Sequence, residues 1–281
     1  MQYQLIHLKG TFPQLEQISD DPTLETYLPF NLSEIGRQDQ KRPCLLICPG
    51  GCYEFCSQTE MEPVAFHFLP KGYNVFVLKY STAPYRFPTQ LCEVAAAMEL
   101  IHQNAEVWHC DTSHIAIMGF SAGGHLAAHY SNAYDWPEVR DVFPESKKVN
   151  ASILCYPVIS ADPKVAHLGS FHNLLGNENL TEEEVERFSC QNQVTEQTPP
   201  TFLWHTAPDN CVPVENSLLY ACALAEHKVN FAMHIYPAGW HGLATVDDQT
   251  NGALEADIAH AHDWLDAAKK WLSIVFSSDN S

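Results

Sequence analysis

A serine set between small residues is the strongest chemical signal in this sequence. Ser121 lies at the centre of a Gly-x-Ser-x-Gly pattern at 119–123. The apolar residues 114–118 before it predict a strand, and the residues after it predict a helix. A serine on such a sharp turn projects its hydroxyl above the sheet, near the positive end of the helix, where it can attack a carbonyl carbon. The pattern predicts a nucleophile, and the alternative is a glycine-rich turn with an incidental serine.

A serine nucleophile needs a base and a carboxylate that orients the base, and both residue types occur further along the chain. Asp209 follows a predicted strand, 201–206, at the end where parallel sheets build their sites. His241 follows the next predicted strand, 231–236, in a loop between two glycines. Taken singly, these are a turn aspartate and a surface histidine. The order serine, acid, histidine predicts Ser121 as nucleophile, His241 as general base and acid, and Asp209 as its orienting group.

Backbone donors for a developing oxyanion are predicted in the loop that follows an earlier strand. That strand, 44–48, leads into Pro49-Gly50-Gly51-Cys52-Tyr53, where glycine lets the backbone approach a reacting carbonyl closely. We expect the N–H of Gly51 or Cys52 to act together with the N–H of Ala122. The sequence does not choose between Gly51 and Cys52, and a plain Gly-Gly turn is the alternative.

Together these motifs resemble the α/β-hydrolase superfamily, on the side of the small bacterial carboxylesterases and acetyl(xylan) esterases. The matching segments are 49–53, 57–60, 72–80, 119–127, 206–209, 212–217 and 239–243, in family order. The resemblance implies hydrolysis of short-chain esters, often acetyl esters, without metal or cofactor. Two residues depart from the family pattern. Cys52 stands where a third glycine is usual. If that position needs a positive φ, the cysteine is strained, and otherwise it only narrows the pocket. Pro208 replaces a residue that is commonly polar.

Composition argues against several classes of partner. The chain of 281 residues has 15 Lys and Arg against 34 Asp and Glu, a formal charge of −19. Such a surface repels phosphate backbones and anionic lipid, so we expect no nucleic-acid or membrane partner. The resemblance implies a small-molecule ester as the substrate. No apolar run reaches membrane-spanning length, and the first residues lack a signal-peptide pattern. Whether the protein forms a homo-oligomer stays open.

The ten cysteines and fifteen histidines do not form metal motifs. Cys44, Cys48, Cys52 and Cys56 recur every four residues, but no Cys-x-x-Cys pair occurs. We interpret the cysteines as free thiols in a reducing cytoplasm, which predicts a cytoplasmic protein. His125 and His129 share one face of the helix after Ser121, and we expect core histidines there rather than metal ligands, so no metal site is predicted.

The remaining pattern predicts a single α/β domain spanning 1–281. Two initial strands, 3–8 and 23–28, are predicted to pair antiparallel at a sheet edge. Strands and helices then alternate, which predicts a mostly parallel central sheet with helices on both faces. A long final helix is predicted over 251–276, and a frayed tail over 277–281. The other predicted strands are 44–48, 74–80, 114–118, 151–156, 201–206 and 231–236, and the other helices are 61–69, 90–104, 122–132 and 214–227.

The segment 160–200 interrupts this alternation and predicts a short helical cap inserted over the site. Thr181 and Glu184 form a capping-box pattern, so a short helix should begin there. A cap of this length implies a modest pocket rather than a long acyl tunnel. Its large apolar residues could line the pocket or pack onto the rest of the protein, and the sequence does not decide. These residues are Phe171, Leu174, Leu175 and Phe188.

We therefore interpret the chain as a serine esterase that hydrolyses acetyl to butyryl esters, acetylated sugars among them, through an acyl-enzyme intermediate. One alternative is a serine peptidase of the same fold, for which Glu60 and Glu62 could hold a peptide amino terminus. A second is a pseudo-hydrolase that binds ligand without chemistry, which would predict a damaged catalytic set. Aromatic residues beside the reacting loops are expected to shape the pocket. They are Tyr53, Phe55, Tyr156 and Trp240.

Overall fold

The computed structural model describes residues 1–278, and their strands form one mixed sheet. The strands are β1 (Gln2–His7), β2 (Thr23–Leu28), β3 (Arg42–Cys48), β4 (Asn74–Lys79), β5 (Cys110–Phe120), β6 (Ala151–Cys155), β7 (Thr201–Thr206) and β8 (Phe231–Tyr236). Their order across the sheet is β1-β2-β4-β3-β5-β6-β7-β8. β1 pairs antiparallel with β2, and β2 with β4, whereas the pairs from β4 to β8 are parallel. The predicted fold class is confirmed.

Helices cover both faces of this sheet. They are α1 (Leu8–Thr11), α2 (Glu62–Phe68), α3 (Thr89–Gln103), α4 (Ser121–Ala133), α5 (Pro137–Arg140), α6 (Leu168–Leu175), α7 (Glu182–Phe188), α8 (Glu215–Glu226), α9 (Asp248–Asn251), α10 (Ala256–Ala259) and α11 (Trp264–Ser278). Short 3₁₀ turns add Pro13–Leu15, Ser33–Ile35, Gln58–Glu60, Leu69–Lys71, Cys190–Gln193 and His260–Asp263.

The alternation of side chains along the central strands explains why both faces need helices. In β3, Leu46 and Cys48 belong to one buried cluster and Leu45 and Ile47 to the other. Successive residues of a strand point to opposite faces, so a strand that is apolar throughout must be covered twice. The first cluster includes residues of α3, α4 and α8, and the second includes residues of α2 and α11.

The order of the strands places two loops next to each other at one edge of the sheet. The chain runs from β3 to β4 on one side and then returns to β5 on the other side of β3. β3 and β5 are parallel, with Cys48 paired to Gly119 near their carboxyl ends. The loops that follow these strands therefore leave the sheet side by side at a topological switch point, where open α/β sheets bind their ligands.

The end of the chain differs from the predicted long helix over 251–276. α9 ends at Asn251, and the next residue, Gly252, has a φ of 68° and a ψ of −157° that suit glycine but not other residues. Two short helical pieces follow before α11 begins at Trp264. α11 continues to Ser278, so the start of the predicted tail, 277–281, is helical. Residues 279–281 lie outside the described residues.

The segment 160–200 contains two helices, α6 and α7, as a short insertion would. The predicted capping box is present, because Thr181 Oγ1 accepts from Glu184 N and the Glu184 carboxylate accepts from Thr181 N. The large apolar side chains of the segment pack onto the rest of the protein. The ring of Phe171 lies 5.1 Å from that of His125, and the ring of Phe188 lies 4.9 Å from that of Phe87. Phe171, Leu174 and Phe188 are buried and therefore belong to the core, whereas Leu175 is half-buried. The domain boundaries and the cap remain predictions.

Candidate active site

Ser121 is the first residue of α4 and follows β5 without a loop. Its φ of 52° lies in the left-handed region, which a residue with a Cβ adopts only where the surroundings force it. The neighbouring glycines allow this turn. A Cβ at Gly119 would lie 2.0 Å from the Gly123 carbonyl oxygen, and a Cβ at Gly123 would lie 2.2 Å from that of Cys48. The turn thus requires glycine on both sides of the serine.

We expect Gly123→Ala to destabilise the protein by about 3 kcal/mol, because the new methyl group meets backbone atoms that cannot move independently. This cost exceeds the roughly 1 kcal/mol of helix propensity that alanine would gain over glycine. Urea unfolding followed by circular dichroism measures the change. Gly10→Ala is the matched control, since a Cβ at Gly10 meets nothing within 4 Å. Equal unfolding midpoints for the two variants would contradict the prediction.

A continuous series of hydrogen bonds joins Ser121, His241 and Asp209. His241 Nε2 lies 2.7 Å from Ser121 Oγ, and His241 Nδ1 lies 2.7 Å from Asp209 Oδ2. A carboxylate only accepts, so Nδ1–H donates to Asp209 and Nε2 is left to accept the serine proton. The three residues come from the ends of β5, β7 and β8. This arrangement can withdraw a proton from the Ser121 hydroxyl.

The Asp209 carboxylate is fully buried, and both of its oxygens accept hydrogen bonds. Its Oδ1 accepts from the backbone N–H groups of Cys211 and Val212, at 2.9 and 3.0 Å. His205 Nε2–H lies 2.9 Å from the Val212 carbonyl oxygen and 3.2 Å from Asp209 Oδ2, so it is shared between them. Burial alone would raise the pKa of Asp209. The hydrogen bonds from His205 and His241, and the charge of His241, hold that pKa well below its usual range instead.

The loop after β3 contains three consecutive residues with positive φ. These are Gly51 at 122°, Cys52 at 58° and Tyr53 at 57°. A Cβ on Gly51 would lie 2.1 Å from the Phe55 carbonyl oxygen, so this position requires glycine. Cys52 has the positive φ that strains a cysteine, so of the two possibilities left open by the sequence the strained one is present. Its carbonyl oxygen accepts a hydrogen bond from Asn173 Nδ2 in α6 at 2.9 Å, which helps to fix this conformation.

The four aromatic residues expected beside the site fall into two groups. Tyr53 and Tyr156 are each 1% exposed, whereas Phe55 is 56% and Trp240 47% exposed. The Tyr53 hydroxyl is 2.8 Å from His125 Nδ1, so this residue supports the loop from within. The Tyr156 ring lies 5.0 Å from the His241 ring. Phe55 and Trp240 are the two that present apolar surface to solvent.

The histidines of α4 are core residues, as predicted. His125 and His129 are both buried. His125 Nε2 lies 3.0 Å from the Phe188 carbonyl oxygen, to which it donates, so Nδ1 accepts from the Tyr53 hydroxyl. Burial lowers the pKa of His125 to about 4, so the ring is neutral near pH 7. Within residues 1–278, no three His, Cys, Asp or Glu side chains are arranged to hold a metal ion.

Two contacts around the reacting loops were not predicted from the sequence. Asn173 lies in the long segment between β6 and β7, where no motif marked it. For Glu60 the sequence suggests only the binding of a peptide amine. The structure instead buries it, with Oε2 2.7 Å from the Gly50 N–H. The matching segment 57–60 was a signal that its last residue serves the loop after β3.

Comparisons with known proteins agree with this architecture. Residues 31–224 match the model of the BD-FAE family. Endo-1,4-beta-xylanase B from Butyrivibrio fibrisolvens is 39% identical over 79% of this chain and 36% of that protein. An acetylxylan esterase from Xylanibacter ruminicola is 33% identical over 69% of this chain and 40% of that protein. The chain thus spans well under half the length of these two relatives.

A solved structure matches almost the whole chain. It is the acetyl ester-xyloside bifunctional hydrolase from Caldicellulosiruptor lactoaceticus, with 34% identity and a TM-score of 0.81 over 97% of this chain and 96% of that chain. The fold defines the class as the α/β-hydrolases, and the predicted resemblance to the esterases of that superfamily is confirmed. The chain belongs to the BD-FAE family. No helix formed by residues 1–278 is long and apolar enough to cross a bilayer.

Proposed function

We propose that this protein is a serine esterase that hydrolyses short-chain carboxylic esters, with Ser121, His241 and Asp209 as its catalytic residues. One observation carries the proposal. The hydroxyl of a serine with positive φ lies 2.7 Å from a histidine nitrogen, and the other ring nitrogen lies 2.7 Å from a buried carboxylate. This is the geometry that general-base activation of a serine requires.

Acylation begins when Ser121 Oγ attacks the ester carbonyl carbon and its proton moves to His241 Nε2. The charge that develops on the carbonyl oxygen is stabilised by the N–H of Ala122 and by that of Gly51 or Cys52. Ala122 is in the first turn of α4, so its N–H has no partner within the helix. The intermediate collapses, the bond to the alcohol oxygen breaks, and the alcohol leaves with the proton from His241.

Deacylation reverses these roles. A water molecule loses a proton to His241 Nε2 and attacks the acyl carbon, which forms a second oxyanion at the same backbone donors. Collapse breaks the bond to Ser121 Oγ, which takes the proton back, and the carboxylic acid is released. Asp209 keeps its charge throughout and stabilises the protonated His241 in both steps.

Acetyl to butyryl esters, including acetylated sugars, are the proposed substrates. The hydrogen bond from Asn173 to Cys52 draws α6 against the loop after β3, which favours a modest acyl site. Phe55 and Trp240 offer apolar surface on which a sugar or aryl alcohol could pack. Relatives named acetylxylan esterase and acetyl ester-xyloside bifunctional hydrolase support this choice.

The peptidase alternative loses its main support from the surroundings of Glu60. Both Glu60 oxygens accept hydrogen bonds, from Gly50 N–H and from the Tyr156 hydroxyl, so the carboxylate is not free to bind an amino terminus. Glu62 is exposed and would have to act alone. The pseudo-hydrolase alternative predicts a damaged catalytic set, whereas Ser121 and its two partners are all present at hydrogen-bonding distance.

A series of p-nitrophenyl esters from acetate to decanoate tests the proposal, with acetylated xylo-oligosaccharides and an aminoacyl p-nitroanilide beside it. We expect kcat/KM to be highest between acetate and butyrate, and at least about tenfold lower at decanoate, because a modest pocket excludes long acyl chains. Acetate release from the sugar should be detectable and anilide cleavage negligible. Turnover of the anilide alone would favour the peptidase, and no turnover by folded protein would favour a ligand-binding role.

The cytoplasm is the proposed location. All ten cysteines are free, and six of them are buried, which suits a reducing compartment. Fractionation of the source cells with an antibody against this protein would test the proposal. Recovery of this protein from the extracellular fraction, with its cysteines in disulfides, would contradict it.

A further inference from the structure

A buried carboxylate, Glu60, lies outside the hydrogen-bonded set of Ser121, His241 and Asp209. It connects the loop after β3 with the loop that carries His241. Glu60 ends the short 3₁₀ turn before α2 and is 3% exposed. Its Oε2 accepts from the Gly50 N–H at 2.7 Å, and its Oε1 accepts from the Tyr156 hydroxyl at 2.7 Å. A Cβ on Gly50 would lie 2.7 Å from Glu60 Oε2 and 2.9 Å from Ser121 Cβ, so the contact lies directly against the serine.

Tyr156 extends this connection to the loop that carries His241. Its oxygen accepts from the Ala244 N–H at 2.9 Å, so its own proton must go to Glu60. The Tyr156 ring also lies edge-on to the His241 ring, with centroids 5.0 Å apart. The backbone of Tyr156 has a φ of 37°, which indicates that the surrounding contacts impose its position.

The Glu60 carboxylate is held by hydrogen bonds and not by an ion pair. No ion pair within residues 1–278 involves Glu60. Burial raises the pKa of Glu60, and the hydrogen bonds from Tyr156 and Gly50, together with the charge of His241, oppose that rise. The other titratable groups that sense this charge have pKa values raised by burial and are neutral near pH 7. They are Cys52, Cys56, Tyr80, Cys155 and Tyr156.

His241 is therefore the group that gains from this carboxylate when it takes the serine proton. It is faced by Asp209 and Ser121, by the Tyr156 ring, and by His167 at the start of α6, whose pKa is lowered by burial and by the charge of His241. Among these groups only Asp209 is anionic, so a second buried negative charge adds to the stabilisation of a protonated imidazole.

We propose that Glu60 is a positioning residue for the esterase reaction. Through Gly50 it fixes the loop that offers Gly51 and Cys52 to the oxyanion, through Tyr156 it fixes the loop of His241, and its charge stabilises protonated His241. This role rests on the proposed function. A carboxylate that only held the fold together would affect stability but would not change the pH at which His241 becomes active.

Glu60→Gln tests the charge with little change in size, and Glu62→Gln, an exposed position two residues away, is the matched control. With p-nitrophenyl acetate we expect Glu60→Gln to lower kcat about 10- to 100-fold with KM within about threefold, because small displacements of reacting groups cost that much. The acidic limb of its kcat/KM profile should move to lower pH by about half a unit or more, since protonated His241 loses a stabilising charge. Glu62→Gln should match the wild type both in its kinetic constants and in the position of the acidic limb.

Tyr156→Phe removes the hydrogen bond to Glu60 but keeps the charge of Glu60. It also tests the positioning role if Glu60→Gln does not fold. It removes the hydroxyl that joins Glu60 to Ala244, and we expect kcat to fall about tenfold with KM nearly unchanged. Wild-type turnover that disappears in Ser121→Ala establishes the esterase independently of Glu60. Once the esterase is established in this way, two results would overturn the positioning role alone. The first is a folded Glu60→Gln variant with the kcat and the acidic limb of the wild type. The second applies if Glu60→Gln does not fold, and is a Tyr156→Phe variant with the kcat of the wild type.

Discussion

Ser121→Ala is expected to lower kcat on p-nitrophenyl acetate roughly 10⁴- to 10⁶-fold while the protein stays folded. The variant keeps His241, Asp209 and the backbone donors but has no oxygen to form the acyl-enzyme. The fold should tolerate the change, because alanine occupies less space at a position where glycines already relieve the crowding. Initial rates measure the loss, and thermal unfolding followed by circular dichroism measures the stability.

Ser131→Ala is the matched control for this substitution. Ser131 lies on the same helix, α4, is also buried, and donates to the Ala127 carbonyl oxygen at 2.7 Å. Its loss removes a buried hydroxyl without touching the reacting groups, so activity should stay within about twofold of the wild type. Near-full activity in purified Ser121→Ala would exclude Ser121 as the nucleophile.

Asp209→Asn is expected to lower kcat about 10³- to 10⁴-fold near pH 7. Oδ1 accepts from two backbone N–H groups, so the amide oxygen of asparagine must take that place. The amide NH₂ then replaces Oδ2 and faces His241 Nδ1 with a donor. This favours the imidazole tautomer with its proton on Nε2, which cannot accept the proton of Ser121. Steady-state kinetics between pH 6 and 9 would measure the loss.

A second histidine–aspartate pair provides the control for this variant. Asp111 Oδ2 lies 2.7 Å from His114 Nδ1, the same separation as in the Asp209–His241 pair, at the opposite end of β5 from Ser121. Asp111→Asn should leave kcat within about twofold of the wild type. Comparable losses in both variants would mean that the effect reflects stability rather than the tautomer of His241.

The parts of the site that follow local rules could be predicted from the sequence. Gly119 and Gly123 surround Ser121 because a left-handed turn there leaves no room for a Cβ, and that requirement is visible in the sequence. The meeting of Asp209 and His241 beside Ser121 could be predicted from their positions after strands, since parallel strands end at one edge. The sequence left the backbone of Cys52 open, and the structure shows that its φ is positive.

Features that depend on the packing of distant segments could not be predicted. Glu60 and Tyr156 are 96 positions apart, and nothing in either segment indicates that their side chains meet. Asn173 reaches Cys52 across 121 positions for the same reason. The burial of Tyr53 and the exposure of Phe55 likewise depend on how one loop folds over α4. The final helix is shorter than the sequence predicts, because Gly252 adopts a positive φ that interrupts the helix.

The pairing of Cys48 with Gly119 has a consequence for how this protein can change over evolutionary time. The two loops closest to the reacting carbonyl are attached to adjacent strands, so their spacing is determined by hydrogen bonds between backbones rather than by replaceable side chains. On the proposed function, the surfaces that a substrate's outer groups would touch lie elsewhere, on exposed residues such as Trp240. Substitutions there can alter which esters are accepted while the distance between attacking oxygen and backbone donors stays constant, so selectivity can diverge without new chemistry.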